Sequence, residues 1–338
     1  MGNLLHYIKW IILVAVIIIL PFISNSFFLS MMILIGLYAL VGTGLTMLMG
    51  YAGQISLGHA AFYGIGAYST AIMTGTYGLP SVIGIIVGLI IAGIIAYIIG
   101  HPTLKLKENY LALATLGFGI IIFTFFKEFK GLTGGLNGFF GIPVFNVFGF
   151  LFDTDIKFYL LTWILVLLGI IFANNMIQSR VGRALRSIHG SEVAASSIGI
   201  NIQKYKLQVF VLSAIYASIA GSLYAHYITF INPNLFTAME SINFLIIVVI
   251  GGSASVWGGV IGAALYVFLS EWLKEITPTI FPNVGGEFQI IFFGLLIVVM
   301  LIFMPKGFIS LLKRLGDKIS FLFKGRNKAI ENQTGGES

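Results

Sequence analysis

The stretch SVIGIIVGLIIAGIIAYIIG, residues Ser81–Gly100, holds no charged side chain. A helix needs about 20 mostly apolar residues to cross the hydrocarbon core of a bilayer, and this run is that long. Leu29–Met49 repeats the pattern, and shorter apolar blocks recur at Trp10–Leu20, Leu160–Ala173, Ser241–Ile250 and Ile290–Met304. Over the 338 residues, 58% are hydrophobic and 9% charged, and the mean hydropathy is +1.01. A soluble domain carries roughly a quarter charged residues, so this chain has too few to cover a globule in water. Buried core helices of a soluble protein would also need amphipathic helices around them. None of any length precedes the C-terminal tail. The composition predicts an all-α, polytopic membrane helix bundle.

Ten spans are expected, near residues 10–28, 30–49, 58–75, 80–100, 109–127, 158–175, 207–228, 238–251, 256–273 and 287–304. Glycine and polar residues interrupt the third and eighth. The apolar run after HYIKW is followed by the bulky LPFISNSFF and no small-x-small cleavage site, so it reads as a retained first span. Ten crossings put both termini on one side. That side then holds 15 of the 19 Lys and Arg residues, including Arg180, Arg183, Arg186, Lys204 and Lys206. Cytoplasmic loops carry such an excess, so the termini and the loop 180–206 are expected to be cytoplasmic, and an odd span count would scramble the sorting. The formal charge of +7 is explained by these loops without nucleic acid. Residues 1–306 read as the transmembrane domain and 307–338 as a basic cytoplasmic tail, partly disordered.

The opposite side carries most of the acids, among them Glu128, Asp153, Asp155 and Glu240. Its longest segment, 128–157, contains GLTGGLNGFFGIP. This is too Gly-rich for a regular helix and too apolar for a free linker. It is expected to lie along the membrane surface or dip back against the bundle.

Several chemistries are excluded or disfavoured. With no cysteine, there is no disulfide, thiol nucleophile or Cys-based metal site. Ion-coupled carriers commonly hold an acid or His within a span. Here the acids fall in loops or at span ends, Glu240 coming nearest, and His59 and His226 read as hydrogen bonders at helix contacts. The five His residues show no metal-ligand or His/Glu spacing, so no catalytic or metal site is expected. A phosphate-binding loop requires Gly-Lys followed by Ser or Thr, and no Lys in the chain is followed by either. ATP, if used, must act on another subunit.

Such a subunit needs something to grip, and RVGRALRSIHGSEVAASSIGINIQKYK, residues 180–206, has a readable shape. RVGRALRSI is expected to continue as helix out of the sixth span. Gly190 and Ser191 can end one helix and cap the next. Glu192 falls in a first turn, where a carboxylate suits the helix dipole. VAASSI makes a short helix with a small-residue face, Gly199 stops it, and Asn201 caps the next helix. An ordinary connecting loop remains the alternative.

SEVAASSIGI resembles the EAA loop of ABC importer permeases, at Glu192, Ala194, Ala195 and Gly199. GYAGQISLGHAAFYGIGAY (50–68) resembles the signature of branched-chain amino acid permeases of the LivM/LivH type. TGGLNGFFGIP (133–143), RVGRALRSI (180–188), KLQVFVLSAIYASIAGSLYA (206–225) and VVIGGSASVWGGVIGAAL (248–265) extend the match in order over most of residues 30–307. The outer TGG-x-N-G segment brings it closer to LivM than to LivH. The departure is His189-Gly190-Ser191 before the Glu, where many members carry more charge, which leaves docking strength open.

The resemblance implies a membrane permease subunit of an ATP-driven importer for branched-chain amino acids, in a bacterial or archaeal plasma membrane. The implied partners are two ABC ATPase subunits carrying ATP and Mg, a paralogous permease and an extracellular solute-binding protein. No cofactor is expected in this chain, which catalyses no chemistry. Glu192, Ala194, Ala195, Gly199 and Arg183 would couple to the ATPase. Gly53, Gln54, Ser56, Gly58 and His59 would line the translocation path, or else join packed helices. Thr133, Gly134, Gly135, Asn137 and Gly138 would form an outer gate or binding-protein contact. Urea or short amides as cargo, an ion-coupled secondary amino acid transporter, and a channel are the alternatives.

Overall fold

The computed structural model of the chain describes residues 15–106, 108–280, 287–304 and 307–310. Helix α1 ends at residue 23. Asn25 leaves the helical conformation, and its side chain accepts from Phe28 N at 2.9 Å, capping α2 (Ser26–Thr46). This places the break between the first two helices a few residues ahead of the expected one, because Asn is a strong N-cap. A π-helical turn, Met47–Tyr51, extends α2. There follow α3 (His59–Ala71), which closes in a second π-turn at Ile72–Thr76, then α4 (Ser81–Thr103) and α5 (Glu108–Glu128). The short α6 (Lys130–Thr133) leads to α7 (Asp155–Gln178). Next come α8 (Arg180–Gly190), α9 (Glu192–Ser197), α10 (Ile202–Ile228), α11 (Ala238–Gly251), α12 (Trp257–Ile280) and α13 (Glu287–Phe303).

Among the described residues, five helical segments are long and apolar enough to cross a membrane: Ser26–Tyr51, Ser81–Thr103, Tyr110–Glu128, Asp155–Gln178 and Ile202–Ile228. The chain is a polytopic helical bundle. Each of the other expected spans also falls on helix, α11 and α3 being the shorter ones. The start of the first span, both chain ends and most of the 307–338 tail lie outside the described residues.

Helix α3 is the centre of the bundle. All thirteen of its residues are buried, so it need not be oily enough to face lipid, and Gly, Ser, Tyr and His are tolerated. Its closest neighbour is α10. A methyl at Gly66 would overlap the Ser218 carbonyl, and one at Gly221 would overlap that of Tyr63. Ser222 Oγ donates to Gly66 O across the same seam at 3.0 Å. Membrane helices lack a hydrophobic drive toward one another, so small residues that let backbones meet are the usual means of packing them. Helix α4 turns the soluble-protein pattern inside out. Gly84, Gly88, Ala92, Ala96 and Gly100 are buried at every fourth residue, while Ile86, Ile90, Ile94 and Ile98 are exposed.

The segment between α5 and α7 folds back on the bundle, the second of the two expected arrangements. Phe139 and Ile231 exchange N–H···O bonds of 2.7 and 3.2 Å. His226 Nδ1 donates to Pro143 O at 2.7 Å, and Asn146 N donates to Ser81 Oγ at 3.1 Å. A two-residue hairpin, β1 (Asn146–Val147) with β2 (Phe150–Leu151), completes it. Phe145 is buried, whereas Phe140, Phe148 and Phe150 are exposed.

Candidate functional site

Helix α8 does not continue α7. Ser179 adopts an extended conformation, and its Oγ accepts from Val181 N at 3.1 Å, starting a new helix. Gly182 packs directly on the Ile177 carbonyl, where a side chain would collide, so the chain turns sharply. Gly182, Ala184, Leu185 and Ile188 face inward. Arg183 Nη1 donates to Gln178 O at 3.3 Å and Arg186 Nη1 to Ile177 O at 3.1 Å. Both cations sit on the last carbonyls of α7, where a positive charge complements the dipole.

Helix α9 follows the expected capping. Ser191 Oγ accepts from Ala194 N at 3.3 Å, Glu192 occupies the first turn, Gly199 lies at φ +82°, and Asn201 Oδ1 accepts from Lys204 N at 3.0 Å. Ala195 is its one buried residue; Val193, Ala194, Ser196, Ser197 and Ile198 are exposed. Val193 and Ile198 are 77% and 73% exposed, so the small helix offers two aliphatic side chains outward. Sequence reasoning missed what holds it: Lys206 Nζ lies 2.6 Å from Glu192 Oε1. Lys206, expected on the helix that Asn201 caps and counted among the cytoplasmic cations, is buried near the start of α10. The signal was available in the opposite charges fourteen positions apart, but their pairing depends on the fold of α9.

The second group lies where the chain is broken between the π-turn and α3. Gly53 takes a positive φ of +66°. Gln54, Ser56, Gly58 and His59 are all buried. His59 Nδ1 is 3.1 Å from Ser56 Oγ, and its Nε2 is 2.7 Å from Ser213 Oγ on α10. Leu57 N donates to Thr115 Oγ1 at 2.9 Å, and Ala60 N to Ser241 Oγ at 3.0 Å. The break is thus tied to α5, α10 and α11, and the backbone groups it frees find side-chain partners, as a lipid-excluded break requires. Gln54 stands apart. Neither end of its buried amide has a hydrogen-bond partner among the described residues.

The third group caps the opposite end. Thr133 Oγ1 donates to Phe126 O at 2.6 Å, and Gly134, Gly135 and Gly138 all have positive φ. Thr133, Gly135 and Gly138 are buried and Gly134 is half-buried, which leaves Asn137 exposed with the neighbouring Leu136. Nearby, Lys157 Nζ lies 2.6 Å from Asp153 Oδ1 and holds that carboxyl below the usual carboxylate range. No group of three or more His, Cys, Asp or Glu that would hold a metal ion occurs among the described residues.

Apolar outward faces, a fully buried central helix preceded by a break in the chain, and a small exposed helix at one end define a multi-pass membrane protein. The family described as "Branched-chain amino acid transport system / permease component" matches residues 27–304, and the chain belongs to it. The chain is 31% identical over 298 residues to the high-affinity branched-chain amino acid transport system permease protein LivM of Escherichia coli strain K12, covering 81% of this chain and 68% of that protein. A probable branched-chain amino acid transport permease protein LivM of Methanocaldococcus jannaschii is 25% identical over 316 residues, 81% and 90% of the two chains. The LivH permease of Escherichia coli strain K12 is 28% identical over 289 residues, 81% and 91% of the two chains. No solved structure matches the chain.

Proposed function

We propose that this permease is one membrane-spanning subunit of an ATP-driven importer of branched-chain amino acids, working in a bacterial or archaeal plasma membrane. The observation that carries the reading is α9: a capped helix anchored by Glu192–Lys206 and Ala195, presenting Val193 and Ile198 outward at the loop matching the EAA pattern. It is shaped as a ball for a partner's socket. Two ABC ATPase subunits supply ATP and Mg, a paralogous permease completes the membrane core, and an extracellular solute-binding protein delivers leucine, isoleucine or valine. Arg183 positions the coupling helices through the end of α7. Gln54 faces the cargo, while Gly53, Ser56, Gly58 and His59 hold the break open beside it. Asn137 contacts the binding protein, on a turn set by Thr133, Gly134, Gly135 and Gly138. ATP-driven movement of α9 shifts the bundle between its outward- and inward-open states.

The test is recovery of ATPase subunits with the permease from detergent-solubilised membranes. Wild type is expected to retain them, and Ile198→Asp and Gly199→Asp to lose them. Equal recovery of the variants, or uptake that follows an ion gradient and survives ATP depletion, would overturn the proposal.

A further inference from the structure

One acid lies inside the bundle among aromatic rings. Glu240 is in the first turn of α11. Asn243 Nδ2 donates to its Oε2 at 2.9 Å, and Tyr38 lies within its electrostatic reach. Tyr63, Tyr224 and Tyr266 are within its electrostatic reach. These four tyrosines come from α2, α3, α10 and α12, and their rings interlock. Tyr38 is 6.0 Å from Tyr266 between centroids and 5.6 Å from Phe244; Tyr63 is 5.6 Å from Tyr224 and 5.5 Å from Phe244. Tyr63 is 2% exposed and Tyr266 6%, while Glu240 itself is half-buried at the start of α11.

Glu240 has no cationic partner among the described residues, whose ion pairs join Lys127–Glu128, Lys157–Asp153, Lys206–Glu192 and Lys274–Glu271. A carboxylate at membrane depth is costly unless something compensates it, and such groups mark functional paths. The Asn243 hydrogen bond and the positive end of the α11 dipole offset part of the cost. The Tyr63 hydroxyl is a second incomplete group: the residue is 2% exposed, and the hydroxyl bonds nothing among the described residues. An acid ringed by aromatic side chains is the composition that receives an organic ammonium, by charge and by cation–π attraction. Calcium wants six to eight oxygen ligands, which one carboxylate among phenols does not supply. Beside the acid, Asn243 and Tyr266 form the polar edge of a cavity of about 340 Å³, otherwise walled by apolar residues such as Ile242, Ile246 and Phe293. That volume has room for a branched aliphatic side chain.

We propose that Glu240, with Tyr38, Tyr63, Tyr224 and Tyr266, is the subsite that takes the ammonium group of the cargo, with the cavity beside Asn243 receiving its side chain. The proposal rests on the reading of the chain as an amino acid permease. It assigns recognition to the membrane subunit itself, in addition to whatever the delivering protein selects.

The test uses the permease co-purified with its partners in proteoliposomes, with radiolabelled leucine as cargo and 3-methylbutan-1-amine as a probe that keeps the ammonium and lacks the carboxylate. The amine is expected to inhibit wild-type uptake, whereas 4-methylpentanoate, which lacks the ammonium, is not. Glu240→Gln is expected to lower leucine uptake at least tenfold and to abolish inhibition by the amine. Wild-type uptake with an unchanged Glu240→Gln, or equal inhibition of both proteins by the amine, would overturn the subsite. Uptake in all proteins that collapses with a proton gradient would also overturn it, making Glu240 a proton carrier. Failure of the wild type to move leucine at all would instead remove the proposed function. If Glu240→Gln does not assemble, Tyr63→Phe decides. Its hydroxyl holds no bond among the described residues whose loss could unfold the protein, so a rise of threefold or more in the amine's inhibition constant supports the subsite and an unchanged constant refutes it.

Discussion

Removing the charge of Glu192 should loosen α9 more than removing that of Lys206, although the two form one ion pair. The reason is their unequal exposure. The Lys206 side chain is 6% exposed and that of Glu192 52%, at a separation of 2.6 Å. Glu192→Gln strands an ammonium in a buried place, whereas Lys206→Met leaves a carboxylate that water already half solvates. A fully exposed pair contributes about 0.2–1 kcal/mol, and stranding one member of a fully buried pair costs about 3–5 kcal/mol. Discounting for the half-exposed partner puts Glu192→Gln at about 1–3 kcal/mol and Lys206→Met below about 1 kcal/mol. The perturbed unit is local, so the readout is amide hydrogen exchange of residues 192–200 in lipid nanodiscs. At 1.4 kcal/mol per tenfold, exchange in Glu192→Gln should quicken by roughly 5- to 150-fold. Equal effects of the two variants, or a larger effect of Lys206→Met, would refute the reasoning.

Other outcomes follow from the same geometry. Gly199→Ala meets nothing within 4 Å, so its whole cost is the left-handed backbone, about 1–2 kcal/mol, and exchange of the α9 amides should rise without loss of bundle stability. Ser213→Ala leaves His59 Nε2 buried without its partner and should cost about 1–3 kcal/mol in unfolding of the detergent-solubilised protein; His59 is tied in place if so, and loosely held if thermal stability is unchanged. Gly66→Val must push α3 off α10 and break the Ser222–Gly66 bond, so its loss should exceed the about 1–3 kcal/mol usual for overpacking. Asp153, its carboxyl held down by Lys157, should titrate below the ordinary carboxylate range by NMR and return to it in Lys157→Met. Its contribution is present above the unfolded-state pKa and is lost as pH falls through the lower, folded-state value.

The helices that face lipid were legible because their composition answers to a uniform solvent. Ser81–Gly100 has no charge and became α4, and the runs of α2, α7 and α10 were read the same way. Helix α3 was harder: it answers only to its neighbours, and Gly64, Gly66, His59 and Ser69 serve packing against protein rather than oil. The caps around α9 were legible at single residues, Ser191, Gly199 and Asn201, because capping is local chemistry. The separation of α8 from α7 was not, because it depends on how Gly182 packs on Ile177 O. For the candidate site the division is similar. The polar residues of 53–59 could be picked from their setting, but that His59 reaches Ser213 while the Gln54 amide finds no partner among the described residues is a property of distant pairs. Glu240 read as a span-end acid because α11 was counted alone; only the convergence of four other helices places tyrosines around it.

Helix α10 joins these places. Lys206 at its start holds α9, Ser213 receives His59, Gly221 and Ser222 seat α3, and Tyr224 reaches the ring around Glu240. Lys206 and Tyr224 are about 27 Å apart along the axis at 1.5 Å per residue. The helix has no internal proline or π-turn to bend at, and sharp kinks in helices arise at such features. A displacement of α9 that keeps the Glu192–Lys206 pair therefore reaches Ser213 and Tyr224 as movement of one rod. The rod is tied to α3 by the Ser222–Gly66 and His59–Ser213 hydrogen bonds and by the Tyr63–Tyr224 rings, so α3 moves with it. The close contact of the two backbones at Gly66 and Gly221 thus makes α9 and the tyrosine ring two ends of one connected unit.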